Sequence, residues 1–216
     1  MRFTNRQQAG RRLADHLASR DFDRPVIIAL PRGGVPVAAE IAARLRAPLD
    51  VLVVRKLGYP MTPELGMGAV AEGQAQILNE DLIAELGVSS AQLDGVIVVE
   101  RAEVERRARR YRGDRPAVPV RGRTAILVDD GLATGFTARA GVEVLRRQGA
   151  RPIVIAVPVA PVETIRDLRA HADEVICLSI PSEFMAVGHW YVDFTQVTDA
   201  EVAELLARHA RMPAAG

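Results

Sequence analysis

Thr124-Ala125-Ile126-Leu127-Val128-Asp129-Asp130-Gly131-Leu132-Ala133-Thr134-Gly135-Phe136-Thr137 is the stretch that decides how this chain folds. Its apolar first half reads as a buried strand that ends on two adjacent carboxylates. A short loop of small and hydroxyl-bearing residues follows, and Ala138–Gln148 then reads as a helix closed by Gly149. Such a layout offers backbone N–H groups and a helix N-terminus to an anion. It also sets two acids at the carboxyl end of a strand, where open α/β sheets bind their ligands. Adjacent carboxylates repel, so the pair suits a ligand that presents vicinal hydroxyls or arrives with Mg²⁺. Asp-Asp-Gly by itself is common in solvated turns. Followed by Thr134-Gly135-Phe136-Thr137 at a helix start, it reads as a site for a phosphorylated, hydroxyl-bearing molecule.

The elements on either side extend this into a fold. Val26–Leu30 is a second short apolar run, followed by Pro31-Arg32-Gly33-Gly34 and by Val37, Ala38, Ile41, Ala42 and Leu45 on one helical face. Asp50–Val54 reads as the next strand, so the first sixty residues form a strand–helix–strand unit with a parallel sheet. Thr4 with Gln7 suggests a capping box for a helix through Ala9, Leu13 and Leu17. Leu57–Gly68, rich in Gly, Pro and Met, reads as a long loop. Short strands are expected near Gly68–Glu72 and Gln76–Leu78, and a short helix over Asp81–Leu86. Ser90 could cap a longer helix through Leu93, Ile97, Val104, Ala108 and Tyr111, although Val96, Val98 and Val99 leave a strand open there. Ile153–Val159 and Glu174–Leu178 read as strands, Pro161–His171 as a helix, and Thr198 with Glu201 caps a last helix.

At 216 residues with 49% hydrophobic and 25% charged residues, the chain suits one globular domain. The formal net charge of +1 gives no general attraction to nucleic acid or membrane. Of 28 basic residues Lys56 is the only lysine, and Cys177 is the only cysteine, so no internal disulfide is possible. Residues 1–8 carry no apolar run and Ile153–Val162 is too short to span a bilayer, so a cytoplasmic protein is expected. The arginine-rich run Arg101–Arg115 is interleaved with Glu100, Glu103, Glu105 and Asp114. It reads as a solvated helix face rather than a nucleic-acid surface. The four histidines show no metal-ligand spacing.

The run Ile126–Thr137 resembles the 5-phosphoribosyl diphosphate (PRPP) motif of type I phosphoribosyltransferases, apolar residues leading to Asp-Asp and then Thr-Gly-x-Thr. The resemblance implies that Asp129 and Asp130 hold the ribose hydroxyls of PRPP and carry the catalytic role. The segment Gly131, Leu132, Ala133, Thr134, Gly135, Phe136 and Thr137 would then cradle the 5-phosphate. Phe136 departs from the pattern, in which a smaller residue is common. Arg32, Gly33 and Gly34 are similar to the pyrophosphate loop of the xanthine-guanine branch. Arg55 and Lys56 resemble a basic pair that reaches the PRPP phosphates, with the Leu57–Gly68 loop as a lid that excludes water.

The aromatics cluster in Ile180–Phe194, which reads either as a satellite hydrophobic cluster or as a hood for a planar ring. In the second case Phe184 or Trp190 would stack on the acceptor and Asp193 would accept a hydrogen bond from it. The expected architecture is a doubly wound α/β fold, its mainly parallel sheet flanked by helices, in one domain spanning residues 1–216. The core would run from about 26 to 178, a helical insertion from about 79 to 122 and the hood from about 179 to 197. The implied reaction moves the 5-phosphoribosyl group of PRPP–Mg²⁺ to a nitrogen acceptor, with Mg²⁺ bound mainly through PRPP and a homo-oligomer, most simply a dimer, as the assembly. No general base for the acceptor stands out beyond Asp130. Two other readings remain: a PRPP-sensing regulator that binds nucleic acid, and a hydrolase using the same phosphate cradle.

Overall fold

The computed structural model describes residues 2–73 and 75–210, apart from the side chains of residues 63 and 64. Residues Arg6–Leu17 form α1, and every residue of Val26–Ala29 (β1) is buried, the pattern of a strand covered on both faces. Gly34–Leu45 (α2) leads to Leu49–Val51 (β2). Val54–Tyr59 (β3), Thr62–Ala71 (β4) and Gln76–Leu78 (β5) follow, then Glu80–Glu85 (α3) and Ser90–Arg112 (α4). Ala125–Val128 (β6), Phe136–Arg147 (α5), Ile153–Val159 (β7), Val162–Leu168 (α6), Glu174–Ser179 (β8) and Asp199–His209 (α7) complete the chain.

Five strands make one parallel sheet in the order β2-β1-β6-β7-β8. Alternate residues feed two cores, as the strand period of two requires. Ile27, Ala29, Ile126, Val128 and Val154 pack with α1, α2 and α7 through Leu13, Ile41 and Leu206. Ile28, Leu127, Ile153, Ile155 and Val157 pack with α5 and α6 through Val142, Leu145, Ile165 and Leu168. The expected doubly wound α/β architecture is the one observed.

The structure corrects four local expectations. Leu57–Gly68 is not an open loop: it lies within an antiparallel hairpin of β3 and β4, to which β5 adds a third strand. Its glycines mislead because Gly68 serves close backbone approach, where a Cβ would stand 2.2 Å from the Ile77 carbonyl oxygen. Arg55 and Lys56 accordingly open β3 instead of closing β2, with Leu52 and Val53 between the strands. Val96–Val99 belongs to one continuous helix, α4, capped by Ser89 in a capping box with Gln92 and not by Ser90. Its buried residues Ile97, Val104 and Tyr111 lie seven apart on a single stripe, whereas Val98 and Val99 are exposed. Finally, Asn5 caps α1 by accepting from the Gln8 amide, while Thr4 donates its amide to the Gln8 side chain.

The hood draws on both ends of the chain. Phe3 pairs with Tyr191 in a parallel bridge, its amide donating to the Trp190 carbonyl at 2.8 Å and its carbonyl accepting from Val192 at 2.8 Å. Among the described residues no helix is long and apolar enough to cross a membrane.

Candidate active site

Strand β1 is followed in the chain by its neighbour on one side, β2, and β6 by its neighbour on the other, β7. The carboxyl ends of β1 and β6 therefore flank the point where the winding reverses, the place where open α/β sheets form a ligand crevice. Ala29 stands beside Val128 in register, and the Leu30 amide donates to the Val128 carbonyl at 2.8 Å. The loops that leave these strands are Pro31–Gly33 and Asp129–Gly135.

These two loops touch. A Cβ on Gly33 would stand 2.0 Å from Asp130 Oδ2, so glycine is what lets this backbone lie against the acid pair. The Asp129–Gly135 loop is pinned at its start by the Leu132 amide donating to the Val159 carbonyl at 2.9 Å. Thr164 Oγ1 holds it further on, donating to the Ala133 carbonyl at 2.5 Å. Gly135, left-handed at φ +70°, caps α5 without a side-chain hydrogen bond. Among the described residues no acceptor takes the backbone amides of residues 133–137. Unspent N–H groups at the start of a twelve-residue helix are what an anion needs. Thr134 and Thr137 are exposed beside them.

The acids differ in setting. Asp129 is half-buried and its Oδ1 accepts from the Asp130 amide at 2.8 Å. Asp130 is only 8% exposed and pairs with Arg6, whose Nε lies 2.7 Å from Oδ2. Burial, and then the neighbouring Asp130 carboxylate, push Asp129 well above the usual carboxylate range. Burial raises Asp130 too, against the pull of the Arg6 guanidinium. The Tyr191 hydroxyl donates to the Asp130 carbonyl at 2.5 Å.

Of the basic residues named from the sequence, Arg32 turns toward α7, its Nη1 3.7 Å from Asp199 Oδ1. The same carboxylate receives the Tyr111 hydroxyl at 3.0 Å and Arg110 Nε at 3.1 Å. Arg55 pairs with Glu100 of α4 at 2.7 Å. Lys56 and the Phe136 ring converge on Gly66, where an added Cβ would lie 3.2 Å from Lys56 Cδ and 3.6 Å from Phe136 Cζ. The β3–β4 hairpin thus packs on α5, with Gly66 close to both the lysine stem and the Phe136 ring.

The three hood residues have different settings. Trp190 packs with Phe3, Ala9 and Tyr191, its indole nitrogen buried and without a hydrogen-bond acceptor among the described residues. Asp193 is exposed, and its Oδ1 accepts from the Thr195 amide at 2.9 Å and hydroxyl at 2.6 Å, which hold its carboxyl below the usual range. Phe184 is half-buried. Sequence reasoning missed Arg6 and Tyr191. Tyr191 lay inside the aromatic segment, but nothing local to Arg6 marks it as a partner of an acid 124 positions away.

A strand-end acid pair with a glycine loop against it, followed by a helix start with unspent amides, places a polar crevice at the switch point of a doubly wound α/β fold. A family model described as phosphoribosyl transferase domain matches residues 3–194, and the chain belongs to that family. Two Mycobacterium tuberculosis proteins, from strains CDC 1551 and H37Rv, carry the provisional name phosphoribosyl transferase. Each is 47% identical over 209 residues, covering 97% of this chain and 47% of its own length. The chain therefore spans about half the length of the curated relatives it matches. The crystal structure of TT1426 from Thermus thermophilus is similar throughout, at 43% identity and a TM-score of 0.86, covering 96% of this chain and 99% of that one.

Proposed function

We propose that this domain transfers the 5-phosphoribosyl group of PRPP to a nitrogen acceptor with release of pyrophosphate. The observation that carries the reading is the contact between the two loops at the switch point: Gly33 lies against Asp130, and the acids run directly into a loop with unspent amides. The 5-phosphate is held by the amides of residues 133–137 and the hydroxyls of Thr134 and Thr137. The ribose hydroxyls are held by Asp129 and Asp130. Arg32, Gly33 and Gly34 face the diphosphate, with Lys56 reaching in from the hairpin. Fixing the ribose and both phosphate ends aligns C1 for attack, and the acids favour the positive charge that develops there as pyrophosphate departs.

Arg32 and Arg55 must turn for this chemistry. Arg32 leaves Asp199 for the diphosphate, and Arg55 reaches the same phosphates only by leaving Glu100. The hairpin, in place of a loop, is the lid that keeps water from the reacting carbon. Among the described residues no cluster of three His, Cys, Asp or Glu side chains could hold a metal. Mg²⁺ would be carried on the substrate phosphates, where it commonly keeps its waters, and would neutralise charge on the diphosphate. The acceptor is a small nitrogenous ring, received on the hood side.

A pyrophosphate-release assay with PRPP–Mg²⁺ over a panel of nucleobases and related nitrogen heterocycles tests the reaction. The expected result is release that depends on one acceptor class and stops with Asp129→Asn. Release of pyrophosphate and free ribose 5-phosphate without an acceptor would make the domain a hydrolase. Tight PRPP binding with no turnover for any acceptor would make it a PRPP-binding regulator.

A further inference from the structure

Arg6 is the first residue of α1, and its position is set from several sides at once. Its Nε donates to Asp130 Oδ2 at 2.7 Å and its Nη1 to the Thr195 carbonyl at 2.8 Å. The guanidinium carbon lies 3.9 Å from the centroid of the Phe194 ring and 6.0 Å from that of Tyr191. The side chain is 9% exposed. A planar guanidinium held by stacking and by two directed bonds has little freedom to reorient. Asp130 is fixed in turn: Arg6 is on one side, the Gly33 backbone on the other, and the Tyr191 hydroxyl bonds its carbonyl. Every one of these holders except Gly33 comes from the chain's two ends.

We propose that Arg6 is a positioning residue of the phosphoribosyl site: it acts through Asp130, holding that carboxylate charged and correctly aimed for the ribose hydroxyls. The proposal rests on the PRPP reading of the site. It separates the two acids, because Asp130 has a cation of its own in Arg6, whereas Asp129 Oδ1 accepts from the Asp130 amide. Two buried carboxylates side by side without a cation would share a proton, and one hydroxyl acceptor would be lost at neutral pH. Arg6 opposes that, lowering both acids against burial. The other titratable groups that face this cluster are Tyr191 and Asp193 of the hood and Glu201 of α7; Asp193 and Glu201 also feel Arg6.

The test measures binding of ribose 5-phosphate and, separately, of Mg²⁺–pyrophosphate by calorimetry from weakly acidic to alkaline pH. The proteins are wild type, R6Q, R6K, D130N and R6Q/D130N, each checked for a cooperative thermal transition. R6Q is expected to bind ribose 5-phosphate roughly ten- to a hundredfold more weakly at neutral pH, the scale of a charge-assisted bond. Its affinity should recover as pH rises and the pair gives up its proton, while Mg²⁺–pyrophosphate binds as to wild type. The double variant should be no weaker than D130N alone. R6K, which keeps the charge without the fork, should fall between wild type and R6Q, and it carries the test if R6Q does not fold. Wild-type affinity in both Arg6 variants, an unchanged pH profile, or losses that add in the double variant would each overturn the proposal. Failure of the wild type to bind PRPP or ribose 5-phosphate would overturn the parent reading, and this proposal with it.

Discussion

At the scale of single residues, the acid pair sits where stability and binding conflict. Asp129 has its carboxyl raised well above the ordinary range by burial and by Asp130, so in the folded state the charged form is disfavoured. With a folded pKa above the unfolded value, the group's contribution is fully present below the unfolded pKa and is lost as pH rises through the folded one. Asp129→Asn should therefore raise the thermal midpoint at neutral pH while removing ribose binding, and the gain should vanish in acid where wild-type Asp129 is already neutral. Gly33→Ala should lower stability instead. Its Cβ would overlap Asp130 Oδ2 at 2.0 Å, and overpacking of this kind costs about 1–3 kcal/mol. Chemical denaturation would record that loss, together with weakened PRPP binding. The strand end, loop and helix start of Asp129–Thr137 are legible in the sequence because they are contiguous. Arg6 is not, because an ion pair across 124 positions leaves no local pattern.

At the scale of elements, the parallel sheet was legible because its strands are short, uniformly apolar and followed by helical stripes. The β3–β4 hairpin was not, since Gly58, Gly66 and Gly68 look like loop punctuation until the strand register shows shifts at Gly58 and tight packing at Gly68. In α4, β-branched residues at 96, 98 and 99 argued for a strand, and a capping box with one buried stripe overrode them. What ties hairpin, helix and sheet edge together is Arg112 at the end of α4. Its Nε lies 2.6 Å from Asp50 Oδ1, it pairs with Glu72, and its Nη2 donates to the Val51 carbonyl at 2.5 Å. Asp50 also accepts from the Val118 amide at 2.8 Å. Arg112→Met leaves buried Asp50 and half-buried Glu72 without their cation, and its expected cost is about 3–5 kcal/mol in urea unfolding. A cost below about 1 kcal/mol would show that water already screens this network.

At the scale of the whole molecule, the two chain ends meet over the site: Phe3 pairs with Tyr191, and Arg6 joins both to Asp130. Global stability should carry an alkaline signature from Cys177, whose thiol is pushed up to about 11 by burial. Between its ordinary value of 9.0 and that figure the unfolded chain loses the proton and the folded one keeps it, so stability falls as pH rises through this window. Cys177→Ala should flatten that part of the curve, and the wild-type thiol should alkylate slowly at neutral pH. The central claim, that Asp129–Thr137 is a PRPP site, is tested most directly by a thermal-shift titration of the wild type and an Asp129→Asn/Asp130→Asn double variant with PRPP–Mg²⁺. The account predicts a concentration-dependent rise in the midpoint for the wild type alone. Equal shifts in both proteins, or none in the wild type, would contradict it.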